Sequence, residues 1–250
     1  MIVVRSTLFF IMFVLGILFF SLLIVLLWPV APLAFRQRLT RHWASYNSRM
    51  LGWICHLHHR LEGVENLPSP PFVIMSKHQS AWETVVFHNF FPNFVWVLKH
   101  NLKHIPFFGW SLQASGQIFI DRSHGIEAMK SLHRQGQDNF RRGISLLIFP
   151  EGTRVAPGSV GEYKAGGVGL AMAAGVPIVP VAHNAGEYWG RRAFLEHPGV
   201  IQVRIGQPVL TEGLSRRARQ EVLDKVQGSI EGMMAEITRS GLAESAKESS

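Results

Sequence analysis

The chain begins with one long apolar run and continues as short apolar segments that alternate with amphipathic stretches. Residues Thr7 to Phe35 include no charged side chain and are dominated by Leu, Ile, Val and Phe. A helix needs about 20 such residues to cross the hydrocarbon core of a bilayer. The run therefore predicts an N-terminal membrane helix. The alternative is a cleaved signal peptide, which the length of the run and the poor cleavage site at Pro29-Val30-Ala31-Pro32 disfavour.

Apolar residues recur at helical spacing directly after this run, with basic residues among them. They are Trp43, Met50, Leu51, Trp53, Ile54 and Leu57. This pattern predicts an amphipathic helix that lies in the membrane interface, although the first helix of a globular domain would give the same pattern. We assign residues 1–60 to a membrane anchor with an interfacial helix.

From Pro71 onward, short apolar runs alternate with longer helical patterns. The predicted strands are Phe72–Met75, Val95–Leu98, Ile118–Ile120, Ser145–Phe149, Ile178–Ala182 and Val200–Ile205, and the predicted helices are Ile126–Arg142, Gly167–Ala174 and Ser215–Thr238. This alternation is typical of an α/β domain with a mostly parallel sheet flanked by helices. The domain is predicted to span residues 61–240, and the small, polar residues 241–250 are predicted to be a disordered tail.

Composition supports contact with a membrane. Hydrophobic residues make up 47% of the chain and charged residues only 17%, with a formal net charge of +8. Such a charge suits an anionic membrane surface, an acidic substrate or nucleic acid, but no nucleic-acid-binding motif accompanies it. Arg5 precedes the apolar run and Arg36, Arg38 and Arg41 follow it, so the positive-inside rule predicts a cytoplasmic location for the rest of the chain. One cysteine excludes an internal disulfide.

Polar residues follow four of the predicted strands. These loops are residues 76–83, 121–122, 150–154 and 183–184. In open α/β sheets the ligand crevice lies at the carboxyl ends of the strands. If the strands are parallel, one His, two Arg and two carboxylates converge on one cleft.

His78 and Glu83 are a candidate catalytic pair. Their five-residue spacing corresponds to about 140° on a helix, so they can meet only if His78 lies in the loop and Glu83 in the first turns of the next helix. A carboxylate on one imidazole nitrogen leaves the other nitrogen as a general base without an enzyme nucleophile. The alternative is a structural or solvent-facing histidine, since the chain has 12.

The segment Phe149-Pro150-Glu151-Gly152-Thr153-Arg154 predicts a phosphate site. Gly152 allows a tight backbone path, and Thr153 and Arg154 offer a hydroxyl and a planar guanidinium. Arg122 could act in the same way, and Lys99, Lys103 and Lys164 could add positive charge. The alternative is an ordinary turn with surface charges.

Other chemistry is less well supported. Ser80 lies outside any Gly-x-Ser-x-Gly motif, and His100 and His104 lack further ligands for a metal. Gly167-Val168-Gly169 lacks the third glycine of a dinucleotide loop. Cys55 is interpreted as a packing residue.

Four blocks, in order, resemble the glycerolipid acyltransferase family, and in particular its lysophosphatidate acyltransferases. They are His78 with Glu83, then Gly116–Arg122, then Phe149–Arg154, then Val176–Val181. The likeness covers about Phe72 to His183.

This resemblance implies an enzyme of phospholipid biosynthesis. His78 would deprotonate the free hydroxyl of 1-acylglycerol-3-phosphate and Glu83 would orient His78. Arg122 and Arg154 would hold the phosphate, and Glu151, Gly152 and Thr153 would shape that pocket. The donor would be an acyl-CoA or acyl-carrier-protein thioester, with no metal or organic cofactor. The location would be a bacterial inner membrane.

The chain departs from the family pattern at two positions. The family usually has Asp where this chain has Glu83 and Asn where it has Lys77. Two alternatives therefore stay open. One is acylation of another lysolipid, such as a lyso-aminolipid, and the other is a non-enzymatic lipid-binding protein in which Glu83 marks a lost catalytic pair.

Overall fold

A computed structural model describes residues 1–91, 93–121, 123 and 125–248. Its helices are α1 (Ile2–Leu27), α2 (Leu33–Met50), α3 (Trp82–Val86), α4 (Phe108–Ala114), α5 (Gly125–Arg141), α6 (Gly166–Ala174), α7 (Ala185–Tyr188) and α8 (Arg219–Glu248). A π-helical turn, Leu51–Cys55, extends α2. Short 3₁₀ turns occur at residues 64–66, 87–89, 100–104 and 216–218.

In the part of the chain that the structure describes, seven strands form one sheet. They are β1 (Leu57–Glu62), β2 (Val73–Ser76), β3 (Phe94–Lys99), β4 (Ile118–Ile120), β5 (Ser145–Ile148), β6 (Ile178–His183) and β7 (Gly199–Ile205). Their order is β1-β7-β6-β2-β5-β3-β4. The strands pair in parallel except for the antiparallel pair β6–β7. The predicted α/β fold with a mostly parallel sheet is therefore confirmed.

The sheet is covered on both faces, which explains why its central strands are apolar at most positions. All the residues of β2, β5 and β6 are buried, as is expected when helices cover both faces of a parallel sheet. One apolar core includes side chains of α5, α6 and α8. The other includes side chains of α3, the π-helical turn and α1.

Helix α1 packs against the domain along most of its length. Its buried residues are Ser6, Phe9, Gly16, Ser21 and Ile24, which lie on one side of the helix. This helix is long and apolar enough to cross a membrane, and its remaining surface is largely exposed apolar side chain. The domain is therefore held against the membrane-associated helix rather than hanging from it on a linker.

The prediction for residues 43–57 was right in its helical part and wrong at its end. The helical path continues to Cys55, but His56 adopts a left-handed conformation with φ of 52°. The chain then enters β1, an edge strand paired with β7. The predicted boundary at residue 60 cuts through this strand, which was missed because Leu57-His58-His59-Arg60-Leu61-Glu62 is mostly polar.

The end of the chain also differs from the prediction. Helix α8 continues through Glu248, whereas a disordered tail was predicted for residues 241–250; the last two of these lie outside the described residues. Ala, Glu and Lys are good helix formers, so the small, polar residues that indicated disorder are also compatible with helix.

Candidate active site

The loop after β2 and the start of α3 bring His78 and Glu83 together. His78 Nδ1 lies 2.8 Å from Glu83 Oε1. The same oxygen accepts the backbone N–H groups of Gln79 at 2.9 Å and Ser80 at 2.8 Å, while the Trp82 N–H donates to Ser80 Oγ at 3.0 Å. The segment Ser80-Ala81-Trp82-Glu83 thus forms an arrangement similar to a capping box at the start of α3. This motif holds the Glu83 side chain against the loop that carries His78.

The hydrogen bonds determine which imidazole nitrogen is available for chemistry. A carboxylate oxygen only accepts, so Nδ1 of His78 must donate the proton of that bond. In the neutral ring the lone pair is then on Nε2. The side chain of Glu83 is fully buried, whereas 14% of the His78 side chain is exposed. Nε2, which carries the lone pair, is therefore the nitrogen that can take a proton from a substrate.

Glu83 stays ionised in this setting. Burial alone would raise the pKa of Glu83, but the neighbouring imidazoles of His183 and His78 and the backbone hydrogen bond from Ser80 hold that pKa below its usual value. Its second oxygen, Oε2, is buried without a hydrogen-bond partner among the described residues. The pair therefore combines a fixed negative charge with a partly open imidazole.

His183 is hydrogen-bonded to the loop that carries His78 and does not act as a second base. Burial lowers the pKa of His183, and the attraction of Glu83 offsets this only in part. Nδ1 of His183 accepts the Ala185 N–H at 3.2 Å, and Nε2 is 2.9 Å from the carbonyl oxygen of Lys77. A neutral ring with its proton on Nε2 satisfies both bonds.

The loop after β5 closes around the His78 loop. The Phe149 ring stacks on the His78 imidazole with centroids 3.7 Å apart. The His78 N–H donates to Glu151 Oε2 at 3.0 Å, and its carbonyl accepts the Val155 N–H at 2.8 Å. Gly152 has a φ of 69°, as the predicted tight path requires. The loops after two adjacent parallel strands therefore meet at the sheet edge where the sequence predicts convergence.

An apolar cavity of about 410 Å³ borders the start of α3, the helix that carries Glu83. Its walls come from α1, α2, α3, β3 and α4, and include Phe13, Ile17, Phe20, Trp43, Val85, Leu98, Leu102, Phe108 and Leu112. Ala81 and Thr84, which flank Glu83 in sequence, line it as well. This volume is within the usual range of about 300–1,000 Å³ for ligand pockets.

Arg154 lines the same cavity. Its Nε is buried and has no hydrogen-bond partner among the residues that the structure describes. A guanidinium that is not already paired is available to an anionic ligand group. The prediction that Arg154 belongs to a binding site is thus compatible with its position.

The other predicted residues are placed differently. Thr153 and Lys99 are exposed, and Lys164 is an exposed residue that pairs with Glu162 at 3.5 Å. Arg122 lies outside the described residues. The roles of these four residues stay predictions.

Glu151 faces inward rather than toward a ligand. Its side chain is fully buried and contacts Lys77 Nζ at 2.8 Å as well as the His78 N–H. Glu151 therefore shapes the site by holding the backbone of His78.

Sequence reasoning missed three groups near the site. Glu231 of α8 accepts hydrogen bonds from Lys77 Nζ and from the Tyr163 hydroxyl, each at 2.8 Å. Lys77 is 1% exposed. Its burial could not be predicted, because the residues around it in the sequence are those of a polar loop. The one available signal was the lysine itself, which departs from the family pattern directly before His78.

Cys55 has no sign of a catalytic role. Burial raises the pKa of the Cys55 thiol to about 12, with a further contribution from Glu196. A thiol of this kind is a poor nucleophile, so the interpretation of Cys55 as a packing residue stands.

A model of the family described as "Acyltransferase" matches residues 58–184 of this chain. That match extends from β1 through the carboxyl end of β6 and includes both loops of the site. The chain belongs to the acyltransferase family. The resemblance in the four sequence blocks is thereby confirmed.

Named relatives of this acyltransferase come from bacteria and eukaryotes. The chain is 37% identical to a 1-acyl-sn-glycerol-3-phosphate acyltransferase of Pseudomonas aeruginosa over 94% of this chain and 92% of the relative. It is 32% identical to an enzyme of the same name from Saccharomyces cerevisiae over 71% of this chain and 60% of that relative.

A solved structure has the same fold. The 1-acyl-sn-glycerophosphate acyltransferase of Thermotoga maritima superposes with a TM-score of 0.75, at 20% identity, over 94% of this chain and 96% of that one. At this identity the match supports the sheet topology and helix arrangement described above.

Proposed function

We propose that this acyltransferase moves a fatty acyl group from a thioester donor to the free hydroxyl of 1-acylglycerol-3-phosphate, giving phosphatidate. The observation that carries the proposal is the His78–Glu83 pair, in which the carboxylate binds Nδ1 and leaves the lone pair on Nε2, at the start of a helix whose residues line an apolar cavity. The choice of acceptor follows the names of the relatives at 37% and 32% identity.

The chemistry needs a base but no enzyme nucleophile. His78 Nε2 takes the proton of the lysolipid hydroxyl while its oxygen attacks the thioester carbonyl carbon. The carbon–sulfur bond then breaks, and the leaving thiolate takes the proton back from the imidazolium. Ionised Glu83 stabilises that imidazolium through the hydrogen bond to Nδ1. Base assistance of this kind is worth about 10²–10⁴-fold in rate.

Glu83 in place of the family's Asp is compatible with this role. The extra methylene is accommodated because the glutamate lies in the first turn of α3 and accepts two loop N–H groups as well as the imidazole. A 2.8 Å contact to His78 argues against a lost catalytic pair, and hence against a non-enzymatic lipid-binding protein.

The cavity is suited to an acyl chain. Its lining is predominantly aromatic and aliphatic, and α1 contributes one wall. A fatty acyl chain could pass from the bilayer into this space without leaving an apolar environment. The thioester carbonyl would then lie at the end of the cavity near Ala81 and Thr84, which neighbour Glu83.

The phosphate of the acceptor would bind Arg154. Its Nε is unpaired among the described residues, and a guanidinium matches a phosphate through two parallel hydrogen bonds. Arg122, outside the described residues, is proposed to assist. The donor is an acyl-CoA or acyl-carrier-protein thioester, and no metal or organic cofactor is proposed to take part.

Membrane association follows from α1, and its orientation is part of the proposal. The basic residues that follow α1 favour a cytoplasmic location for the catalytic domain, at the inner membrane of a bacterium. The same basic residues would favour an anionic lipid surface.

A product assay tests this function. Full-length protein in detergent would be mixed with oleoyl-CoA and either lysophosphatidate or a lyso-aminolipid, and the products identified by mass spectrometry. We expect phosphatidate from lysophosphatidate, and a strong loss of that activity in Arg154→Ala. Acylation of the lyso-aminolipid alone, unaffected by Arg154→Ala, would overturn the choice of acceptor.

A further inference from the structure

Lys77, the residue directly before His78, is buried in a cluster of charged side chains behind the active site. Its ammonium contacts Glu151 Oε1 and Glu231 Oε1, each at 2.8 Å, and the carbonyl oxygen of Ser159 at 3.0 Å. These three acceptors use all three protons of the ammonium group. Lys77 therefore has no donor left for a ligand.

The cluster joins three separate parts of the chain. Lys77 follows β2, Glu151 follows β5, and Glu231 lies on α8, beyond the part of the chain that the family model matches. The Tyr163 hydroxyl also donates to Glu231 Oε1 at 2.8 Å. One carboxylate of α8 thus receives bonds from two segments that border the active site.

A continuous path of hydrogen bonds leads from α8 to the catalytic histidine. Glu231 accepts from Lys77, Lys77 donates to Glu151, and the other oxygen of Glu151 accepts the backbone N–H of His78. The side chain of Glu151 is fully buried, so its charge depends on these partners. A change at Glu231 would alter how Lys77 and Glu151 are held.

The other contacts of His78 do not make this path redundant. Glu83 holds the imidazole ring, whereas Glu151 holds the backbone of the same residue. Phe149 also stacks on the ring and the Val155 N–H binds the carbonyl oxygen, but Glu151 is the acceptor of the His78 N–H, so a shift of Glu151 would release that end of the residue. A displacement of about 1 Å at a reacting group can cost about 100-fold in rate.

We propose that Glu231 and Lys77 are positioning residues, through which helix α8 fixes the backbone of His78 for acyl transfer. This inference rests on the proposed function for its kinetic consequence. Neither residue touches the substrate. Their effect passes through Glu151 to the backbone N–H of His78.

The kinetic test compares substitutions at two glutamates of α8 in the full-length protein. Glu231→Ala removes the acceptor of Lys77 and Tyr163, and we expect kcat to fall by about 10- to 100-fold while KM changes little. Glu231→Gln keeps an acceptor oxygen and should retain most of the activity. Glu236→Ala is the matched control, since Glu236 pairs with Arg204 on an exposed surface, and it should keep wild-type kcat.

A double-mutant cycle separates positioning from a general loss of stability. If Glu231 acts through His78, Glu231→Ala should cause no further loss when His78 is already Ala. The same fold-loss in both backgrounds would overturn the proposal. If Glu231→Ala fails to fold, Glu231→Asp replaces it, because Asp keeps the charge but its shorter reach cannot serve both Lys77 and Tyr163. Wild-type kcat in Glu231→Asp would then overturn the proposal.

Hydrogen exchange gives a readout that does not depend on acyl transfer. Amide exchange in peptides that include His78 should become faster in Glu231→Ala or Glu231→Asp and stay unchanged in Glu236→Ala. Unchanged exchange in the Glu231 variants would contradict the inference, even if the wild-type enzyme acylated a different acceptor. A wild-type protein that does not acylate lysophosphatidate would instead refute the proposed function.

Discussion

Glu83 is bound more extensively to the protein backbone than to its catalytic partner. One oxygen accepts two loop N–H groups in addition to His78 Nδ1. The sequence Ser80-Ala81-Trp82-Glu83 carries this information, because a Ser or Thr followed three residues later by Glu marks the start of a helix. The pair could therefore be predicted from local sequence. The contact between Lys77 and Glu231 could not, because 154 residues separate them and neither belongs to a local motif.

Glu83→Gln tests the charge of the pair with little change of shape. The amide can still accept the loop hydrogen bonds, but it no longer stabilises a developing imidazolium. We expect kcat to fall by about 10²–10⁴-fold in a steady-state assay with oleoyl-CoA. Glu127→Gln, at an exposed glutamate of α5 that pairs with Lys130, is the matched control. Equal losses in the two variants would argue against a specific role for Glu83.

The ionisation of Glu83 also predicts a dependence of stability on pH. Its pKa is lower in the folded protein than in the unfolded chain, where it is about 4.3. Its contribution to stability is therefore fully present above that value and is lost as the pH falls through the folded pKa. The difference in thermal unfolding midpoint between wild type and Glu83→Gln should shrink between pH 6 and about pH 3. A difference that grows on acidification would contradict the lowered pKa.

Removal of the buried ammonium should destabilise the fold. Lys77→Met leaves Glu151 and Glu231 without their shared cation, and breaking a buried ion pair costs about 3–5 kcal/mol. Thermal unfolding in detergent would measure the loss. Lys225→Met removes an exposed lysine that pairs with Glu221 along α8 and should change stability little. Similar midpoints in the two variants would mean that the buried cluster contributes nothing.

Secondary structure was predictable where an element lies in the core and less so at its margins. Six of the seven strands were predicted within one or two residues because their apolar runs are bounded by turn residues. Edge strand β1 was missed, since most of its residues are polar and its partner β7 is more than 130 residues away. Short helices α4 and α7 were not predicted either, because they are too short to produce a helical period, and α3 was expected only as the condition for His78 and Glu83 to meet.

Alanine substitutions at two helical glycines should change stability in opposite directions. A Cβ at Gly136 of α5 would lie 2.8 Å from Leu170 Cδ2, a buried side chain of α6, whereas a Cβ at Gly228 of α8 would meet nothing within 4 Å. Gly136→Ala should therefore destabilise the protein by overpacking. Gly228→Ala should stabilise it by about 0.5–1 kcal/mol, because Ala has the higher helix propensity. Thermal unfolding of both variants would check this, and a shift of the same sign in both would refute the packing argument.

At the scale of the whole molecule, the membrane helix and the catalytic domain share one cavity. Helix α1 supplies Phe13, Ile17 and Phe20 to the wall, and the Ser21 hydroxyl lies 3.2 Å from that of Ser111 on α4. Sequence analysis separated an anchor from a domain and so could not predict a site between them. The meeting of the loops after β2 and β5 was predictable because parallel strands bring their carboxyl ends to one edge, whereas the cavity depends on how α1 packs against the domain.

The cavity should set the length of acyl chain that reacts. Leu112→Trp places a larger side chain in the lining, and we expect kcat/KM to fall more for oleoyl-CoA than for octanoyl-CoA. Leu214→Trp, at an exposed leucine, is the matched control and should leave both values unchanged. An equal loss for both donors in Leu112→Trp would indicate that the acyl chain binds elsewhere.

The most direct test of the account is the rate of phosphatidate formation by His78→Ala. With lysophosphatidate and oleoyl-CoA, we predict that kcat falls by about 10²–10⁴-fold, while the exposed-histidine control His197→Ala keeps the wild-type rate. If His78→Ala formed phosphatidate as fast as the wild type, His78 would not be the general base and the mechanism would be wrong.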